Sequence, residues 1–148
     1  MKKLLFLLLF ICLTSNAQDY YIHAGKLFDS KKGMMLNDMT IIVSGKKIKD
    51  IKKGFEYSKN ESDVVVDLKD FTVMPGFIDL HVHIESEYNP QKYLNGFTAE
   101  ESEIAFSSLK FAKRTLMAGF TTVRDLGGSG VNISLRNAIN RGEVDGPR

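Results

Sequence analysis

The spacing of apolar residues changes character several times along the chain. Residues 4–13 form an almost unbroken apolar run, behind Met1-Lys2-Lys3 and ahead of Thr14-Ser15-Asn16-Ala17. From residue 20 to residue 74 the apolar residues come in short aromatic and β-branched stretches: 20–24, 40–43, 64–68 and 71–74, with polar residues alternating around Ile48 and Ile51 at 47–51. Such stretches predict strands. Ser44-Gly45-Lys46-Lys47 reads as a turn, and 29–33 and 58–62 read as polar linkers. The prediction is a small antiparallel sheet or sandwich with Met34, Met35 and Leu36 in its core. The cluster Lys46, Lys47, Lys49, Lys52 and Lys53 would form a solvated strand edge.

At Pro75-Gly76 the pattern shifts. Residues 77–83 read as a strand that is apolar on both faces near its start, as strands of a parallel sheet are. Ile78, Leu80 and Val82 are expected to pack on helices. A polar loop with an Asn89-Pro90 turn follows, and Glu85 and Glu87 in it read as solvated charges. Its Tyr88, Tyr93 and Phe97 either line a pocket or pack on a rim. Thr98 and Glu101 suggest a capping box opening a helix. Ala105, Leu109, Ala112 and Leu116 then recur at helical spacing, and Gly119 stops the helix. Residues 120–124 form the next strand, Gly127-Gly128-Ser129-Gly130 a loop, and 133–141 a second helix ended by Gly142. Strand, helix, strand, helix predicts βα units with parallel strands.

The first run changes the charge picture. A basic start, ten apolar residues and a small-residue exit describe a secretory signal peptide over residues 1–17, cleaved after Ala17. Ten residues of helix rise about 15 Å, roughly half a hydrocarbon core, so a permanent span is the weaker reading. A lipoprotein anchor at Cys12 is the alternative, but Ile11 stands where a small residue is wanted. The whole chain has 148 residues and a formal charge of +2. Losing Lys2 and Lys3 with the leader leaves bases equal in number to the 18 acids. No basic stripe then argues for nucleic acid or an anionic membrane. The single Cys leaves too, so any metal must be held by His, Asp, Glu or Lys-derived groups. The expected location is exported, periplasmic or secreted.

The candidate chemistry is at His81 and His83. Residues i and i+2 of a strand share a face, about 6.6–6.8 Å apart along it. Two imidazoles so placed at a strand end can converge on one metal. Asp79 shares that face one step lower, where it can orient a ligand. Arg124 and Asp125, at the end of the following strand, are candidates for contacting substrate or orienting His81 or His83, with a plain salt bridge as the alternative. His23 reads as a strand histidine without a partner. Gly127-Gly128-Ser129-Gly130 before a helix has neither P-loop nor dinucleotide spacing and reads as a flexible turn.

Met74-Pro75-Gly76-Phe77-Ile78-Asp79-Leu80-His81-Val82-His83 resembles the strand-one signature of the amidohydrolase superfamily, Pro-Gly-x-Ile-Asp-x-His-x-His. His23-Ala24-Gly25-Lys26-Leu27-Phe28-Asp29 and residues 40–51 resemble the start of that family's small β-domain. Residues 119–128 are similar to its second barrel strand. Residues 135–148 resemble the branch with imidazolonepropionase-like enzymes and bacterial Xaa-Pro dipeptidases. The resemblance implies an α/β fold: a β-domain over 18–75, then over 76–148 the first two βα units of a (β/α)₈ TIM-type barrel. It implies that His81 and His83 bind a divalent metal, usually zinc, one or two ions in the full-length form. It also implies a hydrolase that breaks a C–N bond of an amide, cyclic amide or dipeptide with metal-activated water. The family's later ligands, from strands four, five, six and eight, have no counterpart here, and such a barrel needs about 250 residues. The expectation is therefore an N-terminal fragment, inactive by itself. A non-catalytic secreted β-module and a deaminase of the same superfamily are the alternatives. The expected partner is a small molecule or dipeptide, and the sequence leaves oligomeric state open.

Overall fold

A computed structural model describes residues 18–148, so the expected leader lies outside the described residues. The described chain divides into two compact units, one ending at Pro75 and the other Gly76–Arg148. No helix among the described residues is long and apolar enough to cross a membrane.

The first unit is a four-stranded sheet. Its strands are β1 (Asp19–Asp29), β2 (Met34–Ser44), β3 (Lys47–Lys53) and β4 (Val64–Val73), in the order β3-β2-β1-β4. β1, β2 and β3 pair antiparallel through the two turns expected at 29–33 and 44–47. β4 lies parallel to β1, so the sheet is mixed and not the antiparallel sheet expected. The reason is the connection: residues 54–63 carry the chain past β2 to the far side of β1, and a crossover of that kind delivers a parallel neighbour. β3 is an edge strand with its lysines mostly exposed, as its composition suggested.

The apolar cluster of this unit is Ala24, Leu27, Met39 and Ile41, with Ile22, Leu36, Val43 and Val73 against it. Ala24 and Leu27 are an odd number of residues apart, so strict alternation does not bring them to one face. The change of phase falls at Gly25, opposite Asp38, which takes a left-handed φ of 51°. Met34 and Met35 are exposed rather than in the core, and only Leu36 reaches it. His23 is fully buried, and it does have a partner: Nε2 donates to the Glu56 carbonyl at 2.7 Å. Phe55 and Tyr57 pack on its ring. Thr40, its cross-strand neighbour, donates to Gly54 O and accepts from Glu56 N. Three hydrogen bonds thus fold residues 54–56 over this face, and none of the pairs is close in sequence.

Asp19, at the start of β1, is nearly buried and bonds Lys49 of β3 at 2.9 Å. A hydrogen bond from Ser44 and the pairing with Lys49 hold its carboxyl below its ordinary value. A depressed carboxylate contributes stability above its unfolded pKa and loses it as pH falls through the folded one. Asp19→Asn is therefore expected to lower the urea midpoint at pH 7, with the gap to the parent closing as pH is lowered to about 2. A gap that does not change with pH would remove the charge of Asp19 from the account.

The second unit begins with β5 (Phe77–Val82), continues through α1 (Lys92–Thr98) and α2 (Glu101–Met117) to β6 (Phe120–Asp125), and then α3 (Val131–Arg141). β5 and β6 are parallel, as two βα units require. The backbone of Arg148 pairs with Thr121 and Val123 in the parallel pattern, on the edge of β6 away from β5. Gly119 and Gly142 do end α2 and α3, with φ of 95° and 74°, where a side chain is disfavoured. The capping box lies two residues later than expected: the Glu103 carboxylate accepts the N–H of Glu100 at 3.2 Å. Thr98 instead closes α1, its hydroxyl donating to Leu94 O, so part of the expected loop is helical.

The core here is Ile84, Ala112 and Leu135, with Leu109, Ile139 and Val144 around it. The helices therefore meet the chain just beyond β5. Ile78 and Leu80, expected under them, are each 63% exposed. Tyr88, Tyr93 and Phe97 are exposed as well, and together they line a shallow open pocket with Asn89, Pro90 and Gly96.

Candidate functional site

The ends of β5 and β6 bring the expected residues together. His81 and His83, two apart on the same strand, hold their ring centroids 5.5 Å apart at an angle of 69°. Both are exposed. His83 Nδ1 lies 3.0 Å from the carbonyl oxygen of Gly127. A carbonyl only accepts, so Nδ1 carries the hydrogen, and in the neutral ring the lone pair is on Nε2. This is the state in which a metal-binding imidazole is needed.

Asp79 accepts the backbone N–H of His81 at 2.9 Å. It braces the strand under the first histidine and does not bond its ring. Asp125 accepts Ile84 N–H with one oxygen and Gly127 N–H with the other, both at 2.9 Å. It thus touches the residue after His83 and the residue whose carbonyl holds His83. Arg124 bonds neither histidine. It is exposed and lines an open groove with Arg136 and Arg148.

Glu85 and Glu87 are not free charges. Glu87 pairs with Arg114 of α2. The Glu85 carboxylate accepts Ser129 N–H at 2.7 Å and Asn132 N–H at 2.6 Å. The glycine-rich loop that read as a flexible turn is therefore tied down by a carboxylate. A sequence signal for Glu85 does exist. α3 starts at a glycine N-cap with no side-chain cap and no acid in its first turn, so its free N–H groups need an acceptor from elsewhere.

As a donor set, His81 and His83 suit a borderline divalent ion such as zinc. They fit as two of its ligands. Among the described residues no group of three or more His, Cys, Asp or Glu is placed to hold a metal.

Parallel βα units, with a His-x-His pair at the end of the first parallel strand, define an α/β protein with a candidate site at that strand end. The model of the amidohydrolase family matches residues 72–148, and the chain belongs to that family. A solved Xaa-Pro dipeptidase, with methionine in its active site, is 43% identical, with a TM-score of 0.80 over 88% of this chain and 32% of that one. A prolidase in complex with N-methylphosphonate-L-proline is 31% identical, with a TM-score of 0.73 over 88% of this chain and 31% of that one. The dihydroorotase of Staphylococcus epidermidis is 34% identical over 92 residues, 62% of this chain and 18% of the relative. The chain thus spans a third or less of the length of these proteins.

Proposed function

We propose that this chain carries the first two metal ligands of an exported hydrolase acting on C–N bonds, with His81 and His83 bound to a divalent ion, zinc. The observation that supports this most is the histidine pair at the β5 end, with the His83 tautomer set by Gly127 O at 3.0 Å. When bound, the ion would supply a Lewis acid that polarises a carbonyl and acidifies water. The chain's own part is to orient: Gly127 fixes the His83 ring, Asp79 the backbone at His81, and Asp125 the junction between the two strand ends. A catalytic zinc site takes three protein ligands, and two imidazoles fall short of that. In this proposal the others, and the residue that takes the proton, belong to the part of the relatives that these residues do not span. The 148 residues alone are then inactive. Export rests on the leader pattern of residues 1–17 alone.

The substrate class we propose is a dipeptide with proline in second place. What supports it is the 43% identity to the Xaa-Pro dipeptidase and the 31% identity to the prolidase, each over 88% of the chain. The test uses the longest reading frame containing these residues, purified with zinc. Xaa-Pro dipeptides are expected to be hydrolysed, and a chelator to stop the reaction. Turnover of dihydroorotate alone would move the substrate to a cyclic amide. Ammonia release from an amino-substituted ring, with no amide hydrolysed, would make the protein a deaminase. Metal-independent turnover would overturn the proposal.

A further inference from the structure

The glycine-rich loop poses a problem for the site. Gly127, Gly128 and Gly130 put little steric limit on the backbone of residues 126–130. Yet the oxygen that sets the His83 tautomer belongs to Gly127. Something must aim that carbonyl.

Two carboxylates are placed to do so, and they cross. Asp125, at the end of β6, reaches to the end of β5 and takes the N–H of Ile84 with Oδ2. Its Oδ1 takes the N–H of Gly127. Glu85, just beyond β5, reaches the other way and takes the N–H groups of Ser129 and Asn132 with its two oxygens. Leu126 N donates to Val82 O at 3.1 Å and completes the seam. The peptide linking Gly127 to Gly128 is thereby bracketed, Gly127 N–H held on one side and Ser129 N–H on the other. Its oxygen faces His83. Hydrogen bonds to an ionised acceptor are about twice as strong as neutral ones, so four of them outweigh the freedom of three glycines.

We infer that Asp125 and Glu85 are positioning residues that form a crossed clasp, aiming the Gly127 carbonyl at His83 Nδ1 and so holding the Nε2 lone pair in place for a metal. The metal role of His83 rests on the function proposed above; the clasp and the tautomer do not depend on it. An amide in place of either carboxylate keeps the shape but turns an –NH₂ group toward a backbone N–H. A Cβ at Gly128 would lie 2.6 Å from Glu85 Oε1, so Gly128→Ala displaces that carboxylate while leaving both charges in the protein.

The test compares the parent protein with Asp125→Asn, Glu85→Gln and Gly128→Ala. Long-range ¹⁵N–¹H NMR of the metal-free protein reads the tautomer of each ring. Zinc alone, titrated against a chelating competitor, reads affinity. The parent His83 is expected as the Nδ1–H form only. Each variant should show a mixture of both tautomers at His83, an unchanged His81, and zinc affinity lower by about 10–100-fold. A loss of fold would move the backbone amide spectrum as a whole. If Asp125→Asn loses the fold, Gly128→Ala, which keeps both acids, decides. Folded variants that retain a pure Nδ1–H His83 overturn the clasp while leaving the metal site standing. A tautomer change in a protein that binds no zinc supports the clasp and overturns the metal reading.

Discussion

Replacing His81 and His83 together by Asn is expected to leave the protein folded and without bound zinc. Both side chains are exposed, so the change in stability should stay within about 0.5 kcal/mol. Asn suits the test at position 83 for a geometric reason. Its amide N–H can still reach the Gly127 carbonyl, which now accepts from His83 Nδ1 at 3.0 Å. What Asn lacks is the second ring nitrogen and its lone pair. The variant therefore keeps the local hydrogen bond and removes the ligand atom. Loss of an outer partner of a metal ligand costs about 10–100-fold in affinity. Loss of two ligands should exceed the upper end of that range. The measurement is zinc per chain after dialysis, made on the longest reading frame containing these residues, beside the circular dichroism of the same sample. Unchanged zinc content would take both histidines out of the site.

The second large effect is expected in the other unit. Gly25→Ala should destabilise the four-stranded sheet by about 3 kcal/mol, the upper end for forced overpacking. A Cβ at Gly25 would overlap the carbonyl oxygen of Lys69, and it would lie 2.7 Å from that carbonyl carbon. These are backbone atoms of β4, which cannot swing aside as a side-chain tip can. Relief requires β4 to move away from β1, where the two strands already shift register between Ala24 and Lys26. Every parallel hydrogen bond beyond that point is exposed to the strain. Urea unfolding measures the effect. A midpoint within error of the parent would show that β4 gives way at little cost.

Much of the architecture could be read from local pattern because local pattern causes it. Short β-branched stretches became strands, Ala112 and Leu109 marked the inner face of α2, and Gly119 and Gly142 ended helices for lack of a Cβ. His81 and His83 were visible for the same reason, since two residues apart on a strand is a spacing that sequence shows directly. The capping box falls two residues later than expected because the local rule points to Thr98 and not to Glu100, which lies outside the usual Ser, Thr, Asp and Asn set. Only the preceding helix, which uses Thr98 for its own end, decides between them.

The sequence by itself determined the periods, the turns, the helix stops and the pair of imidazoles. Each of these follows from forces that act within a few residues. Tertiary structure alone decided the parallel placement of β4 beside β1, the burial of His23 under Glu56, and the use of Glu85 and Asp125 across the strand ends. Glu85 and Asn132 are 47 residues apart, Asp125 and Ile84 are 41 apart. A charged acceptor and a free N–H carry no mark of each other along the chain. They meet because β5 and β6 pair in parallel, and that pairing brings both carboxylates to the strand end where His83 stands.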